Sequence, residues 1–161
     1  MNTDEAASTA VTTTPLLDGK RLLITGVVTS DSIAFSVAAT AQRLGARVVL
    51  TSFDRDWERT AEVLELDVTL PSHFDRVAHE LEQRWGGLDG ALHAVAFAPR
   101  AALAGAFLDA DQGAVDRAFV ASTYSYAALA RLLAALAPST GGALVGLDFD
   151  AAGARPVYNW M

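Results

Sequence analysis

The chain has 161 residues, of which 52% are hydrophobic and 19% charged, a globular composition at a length typical of one domain. Twelve basic residues stand against nineteen acidic ones, a net charge of −7 with no basic cluster, so the electrostatic footprint of a protein that binds nucleic acid or anionic lipid is absent. With no cysteine there is neither a disulfide framework nor a thiolate metal site, which fits a reducing, cytoplasmic setting.

Residues 1–15 are rich in Thr, Ala and Ser and lack the basic start and apolar centre of a signal peptide; they read as a disordered tail ahead of one domain over residues 16–161. From Gly19 onward short apolar runs alternate with amphipathic stretches, the pattern of a parallel sheet with helices on its faces. A first strand is predicted over Arg21–Thr25, a serine-capped helix over Ser32–Leu44 and, after Gly45 ends it, a second strand over Arg47–Thr51. Residues 53–62 leave room for only a rudimentary crossover before a third strand at Val63–Leu66. A helix over Ser72–Trp85 and a fourth strand over Gly90–Phe97 follow. Beyond an alanine-rich loop come two helical stretches, Asp111–Ala121 and Thr123–Ala137, and a fifth strand, Ala143–Phe149.

Five such units give an α/β, Rossmann-like, doubly wound parallel sheet. The longest uncharged run, Leu132 to Leu147, is short for a membrane span and is broken by Pro138, Gly141 and Gly142. The helix at Tyr124–Ala137 is apolar on nearly every side, with Arg131 its only charge, so a second face needs a cover: a later part of the same chain or another subunit.

The chemistry concentrates at strand ends. Gly26-Val27-Val28-Thr29-Ser30-Asp31-Ser32-Ile33-Ala34 follows the first strand, where a helix N-terminus offers free N–H groups and a favourable dipole to a pyrophosphate. The G-x-G-x-x-G pattern is missing, so the residues alone fit a plain turn with a serine cap equally well. Phe53 is either an exposed aromatic or a cofactor contact, and Asp67 either caps a turn or meets a ligand. Arg55 has no basic companions to receive a 2′-phosphate, which favours NADH over NADPH. His73 and His79 read as surface residues and His93 as a satisfied core histidine; three dispersed histidines make no metal motif.

Gly-x5-Ser-Ile-Ala after Leu-Leu-Asp-Gly-Lys, then Thr51-Ser52-Phe53-Asp54-Arg55, Leu66-Asp67-Val68, His93-Ala94-Val95-Ala96-Phe97-Ala98-Pro99, Leu147-Asp148-Phe149-Asp150 and Tyr158-Asn159-Trp160-Met161 occur in that order. Together they resemble the NADH-dependent enoyl-acyl-carrier-protein reductases of the mycobacterial, isoniazid-target type, a divergent branch of the short-chain dehydrogenases. The resemblance covers Pro15 to Met161. It implies cofactor contacts at Gly26, Val27, Ser32, Ile33, Phe53, Asp67, Val68, Ala94, Val95 and Ala96, with Phe97 and Met161 beside the substrate and no metal.

In that family a hydride passes from NADH to C3 of an enoyl thioester held on acyl carrier protein or coenzyme A. Tyr158 would then stabilise the thioester oxygen and Phe149 border the reacting groups. Ala94 stands where the family usually carries serine. Tyr158 to Met161 look like the first half of Tyr-x-x-Met-x-x-x-Lys, whose lysine would fall at position 165. The expectation is therefore an N-terminal part of such a reductase with its last strands missing and little activity of its own, in a family that forms tetramers. The other readings are a non-catalytic dinucleotide-binding or docking protein and a ketoreductase. The last is disfavoured because His93-Ala94-Val95-Ala96 replaces Asn-Asn-Ala-Gly, and Val145 occupies the place of that group's serine.

Overall fold

A computed structural model of the chain describes residues 14–53, 63–103, 106–148 and 152. The tail expected over residues 1–15 and the crossover within residues 53–62 therefore lie almost wholly outside the described residues.

Five strands, β1 (Arg21–Ile24), β2 (Arg47–Ser52), β3 (Val63–Glu65), β4 (Gly90–His93) and β5 (Ala143–Gly146), form one sheet in the order β3-β2-β1-β4-β5. Every pairing is parallel, with Leu23 opposite both Val49 and Ala91 and Leu92 opposite Val145. The doubly wound arrangement is thus present. β4 ends at His93 rather than Phe97, because its neighbours β1 and β5 stop pairing at Ile24 and Gly146. Residues 94–99 leave the sheet as a loop despite their apolar sequence.

Alternation along the strands divides the core in two. Leu23, Val49 and Ala91 face one side, where they meet Phe74, Val77 and Leu81 of helix α2 (Pro71–Trp85) and Leu129, Leu132 and Leu133 of helix α5 (Ser125–Leu136). Ile24, Val48, Leu50 and Leu92 face the other, against Ala34, Ala38 and Ala41 of helix α1 (Ile33–Arg43). Helix α3 (Arg100–Leu103) and a 3-10 turn (Phe107–Asp109) lie in the alanine-rich loop, which the sequence did not announce. α2 starts on Pro71, whose fixed φ suits a first helical turn, and ends on Gly86 in the left-handed region.

The two predicted helices after that loop are one run. Helix α4 (Gln112–Phe119) passes through a π-helical segment (Val120–Tyr124) directly into α5. The run Gln112–Leu136 is long and apolar enough to cross a membrane by length and composition alone, which amends the sequence reading. Its packed side, with Ala118, Ala121, Leu129, Leu132 and Leu133 buried, is nevertheless the cover of the sheet, and Asp116, Arg117 and Arg131 punctuate it. Phe119, Tyr124 and Tyr126 on this run remain exposed, so the second cover that the sequence called for is not supplied by the described residues.

One ion pair fastens the amino-terminal edge of the sheet. Arg21 on β1 donates through Nε to Asp89 Oδ2 at 2.6 Å and through Nη1 to the Trp85 carbonyl at 3.0 Å, while its backbone N–H donates to the same carboxylate at 3.0 Å. β1, the end of α2 and the start of β4 are joined at one point. Arg47 stacks its guanidinium over the Trp85 ring, 5.1 Å from its centroid. The hydrogen bond from Arg21 holds the Asp89 carboxyl below the ordinary aspartate range. A lowered acid pKa means that the unfolded chain binds more protons as pH drops, so this stabilisation is present above about pH 4 and is lost as pH falls through the lowered folded value. Asp89→Asn is expected to cost about 1–2 kcal/mol at neutral pH and to lessen the decline of stability below pH ~4, read from urea unfolding at several pH values.

Candidate cofactor site

In an open parallel sheet a ligand crevice forms outside the carboxyl ends of the strands, where the winding reverses. Here the reversal lies between β1 and β4. β1 runs out through Thr25, which is buried and spans the gap: its Oγ1 donates to the Leu92 carbonyl at 2.8 Å and accepts from the Ala94 N–H at 3.3 Å. Gly26 follows with φ +78°, in the left-handed region. A Cβ there would lie 2.6 Å from the Ala94 carbonyl carbon and collide with its oxygen, so only glycine permits the approach.

The backbone then turns into α1. Ser32 is its N-cap, its Oγ accepting from the Phe35 N–H at 3.2 Å. Ile33 and Ala34 begin the helix, where first-turn N–H groups have no intrahelical acceptor and the dipole favours an anion. A cleft of about 520 Å3 opens beside them, lined by Ile33, Ala94, Val95, Ala96, Val115, Phe119, Ser122, Leu147 and Asp148. Residues from four separate parts of the chain meet in it.

Of the residues singled out in the sequence, Ile33, Ala94, Val95 and Ala96 line this cleft, and Gly26 touches Ala94 beneath its rim. Val27 is a core residue, 1% exposed, whose N–H donates to the Thr51 carbonyl at 3.3 Å; its side chain faces the sheet. Ser32 is engaged as a cap. Phe53, 74% exposed, sits at the carboxyl end of β2, and Asp67 and Val68 follow β3; all three are on the same edge of the sheet but outside the cleft. Asp67 Oδ1 accepts from the Thr69 N–H at 2.9 Å and the Thr69 hydroxyl at 2.7 Å, the local turn that its sequence context allowed. Val68 packs partly against the α2 side of the core. Phe97 flanks the cleft on the loop after β4. Phe149, Tyr158 and Met161, like Asp54 and Arg55, lie outside the described residues.

His93 is buried, as the sequence suggested, and Nε2 lies 2.7 Å from Ser125 Oγ. The Ser125 hydroxyl donates to the Ala121 carbonyl at 2.7 Å, so it accepts from His93, which fixes the Nε2–H tautomer. Tyr126 meets the ring edge-to-face at 5.5 Å. His73 departs from the surface role expected of it: its Nδ1 accepts from the Asp67 N–H at 3.1 Å and so steadies the turn after β3. His79 is exposed. Among the described residues no group of three or more His, Asp or Glu could hold a metal.

Sequence reasoning missed Ser122 and Asp148 as cleft residues. Asp148 belonged to a quoted strand end, whereas nothing in Ala121-Ser122-Thr123 marks the serine.

The cavity fits a dinucleotide at its phosphate and ribose side on three counts: the glycine-only approach at Ala94, the amino end of α1, and an apolar wall from Ala94 to Ala96. Gly26→Ala is expected to cost about 2–5 kcal/mol, from left-handed strain plus the collision. Gly86→Ala, with φ +67° and open space around it, serves as the control and costs about 1–2 kcal/mol. Thermal unfolding of the two variants checks the difference. Burial pushes the His93 imidazole below its ordinary value. The unfolded chain therefore takes up a proton that the folded one resists, so stability falls as pH drops from about 6.5 toward the lowered folded value. His93→Gln is expected to flatten that slope in chemical denaturation between pH 5.5 and pH 7.5.

Comparison with known proteins places the chain in a family. The family model described as Enoyl-(Acyl carrier protein) reductase matches residues 26–161. The chain is 39% identical to the NADH enoyl-[acyl-carrier-protein] reductase of Mycolicibacterium smegmatis, with 92% of this chain and 60% of that protein aligned. It is 34% identical to the NADH enoyl-[acyl-carrier-protein] reductase of Neisseria meningitidis, with 90% of this chain and 60% of that protein aligned. The crystal structure of the Aquifex aeolicus NADH enoyl-[acyl-carrier-protein] reductase superposes with a TM-score of 0.78 at 33% identity, covering 83% of this chain and 63% of that one. The chain thus spans about 60% of the length of these relatives. With the glycine turn, the strand order and the family match in agreement, the chain belongs to the enoyl-(acyl carrier protein) reductase family.

Proposed function

We propose that the protein serves NADH-dependent reduction of the trans-2 double bond of enoyl thioesters carried on acyl carrier protein or coenzyme A, in cytoplasmic fatty-acid or mycolic-acid synthesis. The observation that carries this reading is the approach of Gly26 to the Ala94 carbonyl, which opens the crevice between β1 and β4 onto the amino end of α1.

The bound cofactor would supply a hydride to C3 of the enoyl thioester. The chain's own groups do the rest. The Ile33 and Ala34 N–H groups and the α1 dipole attract the pyrophosphate, and Ser32 holds that helix end in shape. The wall of Ala94, Val95 and Ala96 with Phe119 and Leu147 keeps water from the reacting end, which strengthens any hydrogen bond made there. With alanine at position 94, that wall offers no side-chain hydroxyl of its own. Phe53, Asp67 and Val68 follow the neighbouring strands on the same edge and suit the adenosine half. Tyr158 is assigned the hydrogen bond to the thioester oxygen as enolate charge develops, with Phe149, Phe97 and Met161 bordering the acyl group. A homotetramer is part of the proposal, and the exposed Tyr124 on the π-helical segment is an aromatic of the kind that subunit contacts use.

Tyr158 is the group whose removal is expected to slow turnover most directly. Loss of one such transition-state donor costs about 10²–10³ in turnover. A second reading, a non-catalytic dinucleotide binder that docks through α5, draws on the same exposed Tyr124. The two separate in one assay series: NADH affinity by fluorescence titration, and NADH oxidation with a trans-2-enoyl-CoA. Binding with enoyl-dependent oxidation is expected of the reductase reading, slowed by Tyr158→Phe, and binding without turnover of the second. Absence of NADH binding at millimolar concentration sinks the cofactor assignment.

A further inference from the structure

The loop between His93 and Arg100 forms one wall of the cleft, yet no strand pairs with it. Its conformation has to be held by something else. Ser122, in the π-helical segment, does so twice at the same residue: its Oγ accepts from the Phe97 N–H at 2.9 Å and donates to the Phe97 carbonyl at 2.9 Å. A hydroxyl is the smallest side chain able to perform both roles at once. The same serine lines the cleft, as Ile33 does.

The helix geometry serves this contact. Between α4 and α5 the widened turn carries Ser122 and Ser125 toward two different partners: Ser122 to the loop and Ser125 to His93 at the end of β4. Single π turns inside α-helices recur at functional sites because they redirect side chains that an α-helix would point elsewhere. Here the redirected pair grips β4 and its extension on both sides of the residues that line the cleft.

We propose that Ser122 is a positioning residue for the cofactor: its clamp on Phe97 sets the position of the Ala94–Ala96 wall and thereby the affinity for NADH. The proposal deepens the reductase reading and rests on it. Ser122 touches the wall rather than any reacting atom, so its loss acts through that wall.

The test combines two readouts on the purified 161-residue protein. Hydrogen exchange at the Phe97 amide reports the clamp, and an NADH titration reports the site. Ser122→Ala is expected to speed Phe97 exchange and to weaken NADH binding about tenfold, the scale of one or two hydrogen bonds. Its unfolding midpoint should stay near that of the parent, because the serine is only partly buried. Ser122→Thr keeps the hydroxyl and should restore both readouts. Faster exchange with unchanged NADH affinity would overturn the positioning role while leaving the reductase reading intact. Equal loss of affinity and of unfolding midpoint, unrescued by threonine, would also overturn it, as a merely structural effect. A parent protein that binds no NADH removes the cofactor reading and this inference with it.

Discussion

The close approach of the chain just beyond β1 to the chain just beyond β4 is the constraint on which the rest of the structure depends. Two adjacent parallel strands must diverge at their carboxyl ends, one into α1 and the other into the wall of the cleft. They can do so closely only because Gly26 has no side chain to strike the Ala94 carbonyl. Thr25, one residue earlier, ties the strands together through its buried hydroxyl at the Leu92 carbonyl and the Ala94 N–H. Tie and gap are thus consecutive: a buried hydrogen bond that closes the sheet, then a bare glycine that opens a crevice above it. Helix α1, its serine cap and the exposed Ile33 all take their places from that turn.

The two ends of the sheet are held by different means. At the amino-terminal edge a nearly closed ion pair, Arg21 with Asp89, satisfies the chain where no ligand enters. At the carboxyl edge the contacts are uncharged and short-range: Thr25 to Leu92, Ser122 to Phe97, His93 to Ser125. Apart from Asp148, the side chains named along the cleft are uncharged, so dipoles dominate along the Ala94–Ala96 wall. No buried side-chain nitrogen or oxygen among the described residues lacks a partner, so the edge is pre-formed without a ligand to complete it.

Much of this was legible in the sequence because buried parallel strands read as unbroken apolar runs, and Leu22–Ile24 and Val48–Leu50 are such runs. The serine cap at Ser32 and the glycine at the first turn follow from local chemistry and were equally readable. Where the reading failed, tertiary partners decided. His93 to Phe97 has the composition of a strand, but β1 and β5 offer no further pairing, so the segment leaves the sheet. The π turn is silent in Val120-Ala121-Ser122-Thr123-Tyr124, since no local preference distinguishes those residues from an ordinary helix. It goes with bonds to Phe97 and His93, which are distant in sequence, and with the back-bond from Ser125 to the Ala121 carbonyl. Family likeness supplied the meaning of the site, which composition alone could not distinguish from a capped turn.

The central claim is that the crevice between β1 and β4 is where NADH binds. Backbone amide shifts followed by NMR as NADH is added test it most directly. The account predicts the largest changes at Gly26, Ile33, Ala34 and residues 94–97, with Asp148 following and the Arg21–Asp89 edge unmoved. Changes centred instead on the apolar groove of Leu17, Leu22, Val37 and Val145, beside α1 on the far side of the sheet, would contradict it.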